Sequence, residues 1–558
     1  MTEYQGFDVD DAEHKTTIHY NWKTVVGKKK PLRGITLTIG LFFDGTGNNR
    51  ENTASRLLKF NQCSAPHLGI NQKDAQSCQD FLDYINKDRF SNGSYRGYYS
   101  NIHWLNQLYK PDQSLSEEQT NAQIKTYISG IGTAAGESDS SIGMGTGSSL
   151  LDVFEGVITK TDEAIKGLTS AVAEFMDFNP DADFCIAKVM FDVFGFSRGA
   201  AAARHFANRV MDQDPAIAGA ISAGLKGDFY DGKPSGEVRF LGLFDTVAAI
   251  GGIGNFFDIN GRSSLRVRLE LPPSVAQKVF QITALNEYRY NFSLNSIQGM
   301  WPELALPGAH SDIGGGYNPV GSPLQENESQ FITCPQFETV SDDTREIDTR
   351  VYRRAEQARE QLITLPAFRL LVPHCKITTK TCSVGIVSSQ SRRSGMIEKQ
   401  VGAAVFLERT AIPNDWAKVS LRVMLDAAQE AGALFSPIDP ENPDTKLPAE
   451  LICLADKAVA QGKAVRLGRT PQPFTHDDLL TIGRYIHCSA NWNIESDRNL
   501  WVDPESGEIF IHRFGPKEDK AFVCPNKPAE GWVRSVWYMD DQQKLHDSAK
   551  TGLTTPVD

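Results

Sequence analysis

Residues 186–203 read IAKVMFDVFGFSRGAAAA: an apolar run, then Gly195-Phe196-Ser197-Arg198-Gly199, then four alanines. Apolar residues over 186–194 fit a buried strand, and the small residues from Ala200 to Val210 fit a helix packed close against it. Glycine on each side of the serine permits a turn too tight for ordinary side chains. A strand, a G-x-S-x-G turn and a helix in that order make a nucleophile elbow, with the serine at the carboxyl end of a sheet. The bland alternative is an ordinary strand-to-helix turn with an idle serine.

The flanking sequence extends the pattern. GITLTIGLFF (34–43) reads as a buried strand, and Asp44-Gly45-Thr46-Gly47-Asn48-Asn49 ends it with turn formers. A Gly/Ser-rich loop over 129–149 precedes an apolar series at three- and four-residue steps over 150–175, which Ser148 or Ser149 can cap. Val238–Phe244 is a third apolar strand, ending at Asp245. Strands alternating with helices predict an α/β chain with a mostly parallel sheet covered by helices on both faces. Residues 1–33 are polar and end in Lys28-Lys29-Lys30, and read as a weakly anchored segment. After about 325 the texture changes. Helices are expected over 415–431, 448–461 and 476–487, with β-like runs FRLLV, VGIVSS and GAAVFL between 366 and 412.

The charge balance narrows the function. Fifty-seven basic against 69 acidic side chains give a net charge of −12. That disfavours nucleic acid as a partner and avid attraction to anionic lipid. No apolar run reaches membrane-spanning length, and MTEYQGFDVDDAEHK lacks the core of a classical signal peptide, so export would need another machine. Nine scattered cysteines without C-x-x-C suggest reduced thiols in a protein made in the cytoplasm. No metal-ligand spacing occurs, so neither metal nor cofactor is expected. Gly227-Asp-Phe-Tyr-Asp-Gly232-Lys233 begins like a phosphate loop, but Pro234 stands where Ser or Thr is required.

A serine hydroxyl needs a base, itself oriented by an acid. In this fold class the chain order is Ser, acid, His. Asp245, directly after a buried strand, is the preferred acid; Asp192 lies within the elbow strand and should point away. His310, in Leu306-Pro-Gly-Ala-His-Ser-Asp-Ile-Gly-Gly-Gly-Tyr317, is the preferred base because a Gly-rich loop can swing over the sheet edge. His487, near a helix end, is the runner-up. The oxyanion needs two preorganised donors, each contributing about 3 kcal/mol. The Arg198 amide is one candidate, and the Asp44-Gly45-Thr46-Gly47 loop offers the other. A non-catalytic binding module and a soluble esterase of small esters remain alternatives.

With these pieces assembled, the chain resembles the type VI secretion antibacterial phospholipase effectors of the first lipase-effector family. Phe43-Asp-Gly-Thr-Gly-Asn48, Gly130-Ile-Gly-Thr133, Phe194-Gly-Phe-Ser-Arg-Gly-Ala200, Gly242-Leu-Phe-Asp-Thr-Val247, Ala284-Leu-Asn-Glu-Tyr-Arg289 and Pro307–Tyr317 carry the resemblance, in family order. Asn286 stands where the family has aspartate. The resemblance implies an α/β-hydrolase of phospholipase A type acting on membrane glycerophospholipids, with Ser197 as nucleophile, Asp245 as acid and His310 as base. It implies delivery on a VgrG-type spike carrier into a rival's periplasm, peripheral contact with the membrane there, and a cognate immunity protein. It also implies a catalytic core over 34–325. By analogy, residues 326–558 would complete the fold and form a mostly helical cap touching lipid or the carrier.

Overall fold

The computed structural model describes residues 22–25, 28–31, 33–63, 93–112, 114–136, 150–180, 184–225, 230, 232–248, 267–324, 327–386, 397–493, 495–497, 500–502, 509–511, 521–523, 526–539 and 545–547. Its centre is a six-stranded sheet in which every neighbouring pair is parallel. In chain order the elements around it are β1 (Arg33–Phe43), α1 (Arg50–Cys63), α2 (Asn101–Leu108), β2 (Asn121–Ile128), α3 (Leu150–Phe178) and β3 (Phe184–Phe196). Then follow α4 (Arg198–Met211), α5 (Pro215–Gly224), β4 (Glu237–Phe244), β5 (Lys278–Ala284), β6 (Glu303–Leu306) and the short α6 (His310–Gly314). The strand order is β2-β1-β3-β4-β5-β6, so β3 and its elbow sit in the middle.

Side chains alternate across the sheet as the period of two requires. Val189, Phe191 and Val193 of β3, with Leu37, Ile39, Leu41 and Phe43 of β1, face the cluster built from α3, α4 and α5. Phe42, Phe194, Phe240 and Phe280 face the opposite cluster. There the Phe42 and Phe194 rings stack with centroids 5.0 Å apart. The four alanines expected to bring α4 close, Ala200–Ala203, are fully buried. Each large apolar side chain sealed this way contributes about 1.5–3 kcal/mol. The α3 stripe is core, and no helix among the described residues is long and apolar enough to cross a membrane.

The second cluster is closed by the later sequence. An antiparallel sheet of Glu328–Phe331, Gln336–Ser341 and Lys376–Ile386 gathers around Glu398–Arg409. Helices α7 (Arg350–Leu362), α8 (Trp416–Glu430), α9 (Ala449–Arg466) and α10 (His476–Ile482) accompany it. Trp416, Val419 and Met424 of α8 and Leu451 of α9 pack in the same cluster as the β1–β5 phenylalanines.

Several expectations are corrected. FRLLV (368–372) is not a strand: it runs between the 3-10 turns Pro366–Phe368 and Val372–His374, and its amides bond locally, Phe368 N to the Leu365 carbonyl and Leu371 N to the Phe368 carbonyl. The 476–487 helix stops at Ile482, where a Cβ on Gly483 would lie 2.4 Å from the Leu370 carbonyl. Asn121–Ile128, Lys278–Ala284 and Glu303–Leu306 are strands the sequence reading missed, two of them at sheet edges where polar residues interrupt the apolar signal. In the N-terminal segment, Trp22–Val25 pairs antiparallel with Lys28–Pro31. Residues 1–21, 137–149 and 226–229 lie outside the described residues, and with them Ser148, Ser149 and much of the two glycine-rich loops.

Candidate active site

Ser197 closes β3 and precedes α4 with φ 59° and ψ −127°. That left-handed backbone is costly for any residue with a Cβ, by about 1–3 kcal/mol, and such strain persists at functional sites when packing holds it. Here packing does hold it. A Cβ on Gly199 would sit 2.3 Å from the Asp44 carbonyl, and one on Gly195 2.6 Å from Ala200 Cα. Both glycines are therefore required by close approach. The Ser197 amide donates to the Phe244 carbonyl at 3.1 Å, which sets the elbow beside the end of β4.

Asp245 follows Phe244, is fully buried and also has positive φ, 42°. Its Oδ2 accepts from His310 Nδ1 at 2.5 Å, and its Oδ1 accepts the Ala284 amide at 2.9 Å. Arg534 grips both carboxylate oxygens, Nη1 to Oδ1 at 2.7 Å and Nη2 to Oδ2 at 2.8 Å. Burial alone would raise this carboxyl. The Arg534 charge and the bonds from His310 and Arg534 outweigh it and hold Asp245 well below the usual carboxylate range.

His310 opens α6 rather than riding on a mobile loop, contrary to the swinging-loop expectation. Asp312 Oδ2 accepts the Ala309 amide at 2.8 Å, and Asn286 Oδ1 accepts the Gly308 amide at 2.8 Å. Asn286 thus supplies an acceptor that pins this turn. Glu287 Oε2 accepts the His310 amide at 3.2 Å. Glu287 is itself buried against Arg289, whose charge overcomes desolvation and holds its carboxyl at about 2. Burial lowers the His310 imidazole from its ordinary value, and the Asp245 contact opposes that only partly. The His310 ring packs on Phe196 at 4.6 Å and edge-on to Phe292 at 5.0 Å. Asp245 and His310 therefore touch directly, and Ser197 lies between residues in contact with each: its amide on Phe244, its predecessor on His310.

A solved structure described as the Tle1 effector bound to the VgrG spike from the type VI secretion system is 72% identical to this chain. The match covers 96% of this chain and 100% of that one, with a TM-score of 0.78. The chain belongs to the Tle1 family of type VI secretion phospholipase effectors. Residues 225–333 match the model of the T6SS phospholipase effector Tle1-like catalytic domain. A second solved structure, an uncharacterized protein from Pseudomonas aeruginosa, is 16% identical over 81% of this chain and 53% of that one, with a TM-score of 0.33. No curated protein sequence matches.

In this Tle1-family effector the two rival residues are occupied elsewhere. Asp192 is paired with Arg239 and accepts from the Tyr109 hydroxyl at 2.9 Å. His487 Nδ1 lies 2.7 Å from Asp312, and its ring stacks on Tyr317. It steadies α6 and does not meet Asp245. The loop expectation also changes. Asp44 accepts from Ser100 Oγ and Tyr127 OH, each at 2.6 Å, and from its own neighbour's amide, Gly45 N, at 2.7 Å. Burial raises its carboxyl to about 6. Asp44 and Gly45 thus anchor the loop to each other and to α2 and β2, and do not present donors outward. Among the described residues the Thr46 hydroxyl, in the same loop, is buried with no hydrogen-bond partner. Arg198 is the first residue of α4, and the first-turn amides of a helix have no acceptor within the helix. The sequence reading gave no role to Arg534 or Glu287, and looked to the amides of the 44–47 loop rather than to the Thr46 hydroxyl. Spacing alone could have suggested only Thr46, which stands inside the loop already singled out.

Proposed function

We propose that this effector is a serine esterase of phospholipase A type, acting through Ser197, His310 and Asp245. The buried 2.5 Å contact between Asp245 and His310, beside a strained elbow serine, carries the reading. Ser197 Oγ attacks the acyl carbonyl while His310 Nε2 takes its proton. His310 then returns that proton to the departing alcohol, leaving an acyl-enzyme that water hydrolyses by the same path in reverse. Asp245 holds Nδ1–H, so the tautomer with a free Nε2 lone pair is the one present. The Arg198 amide and the Thr46 hydroxyl are the proposed donors to the developing oxyanion, in place of the Gly45 amide committed to Asp44. Removing one such donor costs about 3 kcal/mol of barrier.

Delivery follows from kinship. Since a relative 72% identical was captured on a VgrG spike, a spike of that kind is the proposed carrier for this chain. Action on glycerophospholipid in the target's periplasm, and neutralisation by an immunity protein, complete the reading. Mass spectrometry of products from a phospholipid with distinguishable acyl chains, run beside Ser197→Ala, tests it. Release of one fatty acid by the wild type and none by Ser197→Ala is expected. Equal release by both would reject the serine mechanism.

A further inference from the structure

Arg534 comes from the far end of the chain, 289 residues after Asp245, yet it lies on the carboxylate that orients His310. Its fork is nearly closed to solvent, with 7% of the side chain exposed. Every nitrogen of the guanidinium is used: Nε donates to the Phe292 carbonyl at 2.8 Å, Nη1 also to the Ala284 carbonyl at 3.1 Å, and Nη1 and Nη2 to Asp245. The segment carrying it is stitched to the rim of the site on both sides. Ala529 N donates to the Tyr288 carbonyl, Tyr290 N to the Lys527 carbonyl, and Leu294 N to the Ser535 carbonyl. Val536–Met539 then pairs in parallel with Leu294–Asn295.

We propose that Arg534 is a positioning residue for hydrolysis, and that residues 526–539 are a structural part of the active site. This rests on the serine mechanism above. A planar fork across both carboxylate oxygens fixes the plane of Asp245, which in turn fixes the line along which His310 Nδ1–H is held. It also neutralises much of the Asp245 charge that the imidazole would otherwise feel. The charged groups facing His310 are Asp245, Glu287 and Arg289, with Arg534 acting through Asp245. Asp312, on the same short helix, is turned to His487. Glu287 is neutralised by Arg289 in the same manner as Asp245 by Arg534. The imidazole therefore sits between two carboxylate–guanidinium pairs, and removing one guanidinium changes both its orientation and its basicity.

Arg534→Gln and Arg534→Lys separate these effects. Turnover is measured per folded molecule on phospholipid in mixed micelles, across pH. Loss of the charge in Arg534→Gln exposes His310 to a fuller carboxylate charge, so the acid limb of kcat/KM moves to higher pH and kcat falls about 10- to 100-fold. Arg534→Lys keeps the charge but not the fork, so the limb stays in place while kcat falls about 10-fold. A merely structural role would lower the amount of folded protein and leave both readouts at wild-type values; that result overturns the proposal. Should Arg534→Gln not fold, Arg534→Lys decides, and wild-type turnover there overturns it equally. Ser197→Ala run alongside keeps the two failures apart. Loss of hydrolysis there, with wild-type behaviour in the Arg534 variants, removes the positioning role alone. Retained hydrolysis in Ser197→Ala overturns the serine mechanism and this inference with it.

Discussion

Asp245→Asn is expected to damage this protein twice, and the two losses separate. The amide keeps the shape of the carboxylate but not its charge, and it favours the wrong imidazole tautomer. In the proposed triad the change is expected to lower kcat by about 10⁴-fold, equivalent to about 5 kcal/mol of barrier. The second loss comes from the partner. Arg534 is 7% exposed and Asp245 fully buried, so the substitution leaves a buried guanidinium without its counter-charge. Breaking a buried pair from one side costs about 3–5 kcal/mol, which lowers Tm by about 5–10 °C in a unit of this kind. A double substitution, Asp245→Asn with Arg534→Met, removes both charges. It should regain most of the lost stability, since an apolar replacement of a buried pair is often neutral or better. It should remain inactive. Calorimetry gives the stabilities and fatty-acid release gives the rates. Unfolding of Asp245→Asn at the wild-type temperature, or no recovery in the double variant, would refute the account of Arg534 as a buried counter-ion.

Other consequences can be measured on single variants. Ser197→Gly relieves a left-handed backbone, so despite the flexibility of glycine it should be about 1 kcal/mol more stable than wild type while hydrolysing nothing; a clear loss of stability in calorimetry would count against a strained elbow. Gly314→Ala places a Cβ 2.0–2.3 Å from the Phe196 ring, which packs on His310; kcat should fall at least about 10-fold, and wild-type kcat would show that the ring has room to move. Protonated His310 cannot act as a base, and burial lowers its imidazole, so kcat/KM should hold steady on descending through about pH 6.5 and fall only below it; a half-maximum at or above about pH 7 would contradict this. Among the described residues Oε2 of the buried Glu328 has no hydrogen-bond partner, and desolvation raises its carboxyl to about 7. The folded state then holds a proton that the unfolded chain releases near 4.5, so stability falls by about 3 kcal/mol as pH rises from 4.5 through 7. Glu328→Gln should accordingly gain Tm over wild type at about pH 8 but not at pH 4.5, and an equal difference at both would reject the assignment.

Legibility followed unbroken apolar sequence more than burial: Lys278–Ala284, also inside the sheet, was missed because the buried Gln281 and Thr283 break its apolar run. β1, β3 and β4 run through the middle of the sheet, buried on both faces, and their near-continuous apolar residues could be read directly. Asn121–Ile128 at one edge mixes polar with apolar residues, and Glu303–Leu306 at the other is only four residues long and opens on a glutamate, so their strand character appears only once a neighbour supplies the ladder. The later antiparallel sheet was half visible: GAAVFL is in its central strand, whereas FRLLV has the right composition and the wrong backbone, its amides being used in the local turns that the flanking prolines at 366 and 373 favour.

The site divides along the same line, between what neighbours in sequence decide and what distant segments decide. Ser197 and Asp245 each end a buried strand, so local pattern and strand polarity placed them at one edge of the sheet. His310 can be chosen by its glycine-rich setting, yet that setting points to mobility, and the structure supplies the opposite. Its turn is fixed by Asp312, Asn286 and Glu287, three side chains whose roles emerge only in three dimensions. Arg534 left no trace in the sequence. It stands in a Trp- and Gly-rich stretch, GWVRSVW, as one of many arginines, with no period or spacing tying it to a carboxylate 289 residues away. A charge can be read locally, but its partner cannot. A segment distant in sequence therefore completes the electrostatics of residues that local sequence had already put in place, and Asp245 should acquire its final orientation only when residues 526–539 have docked.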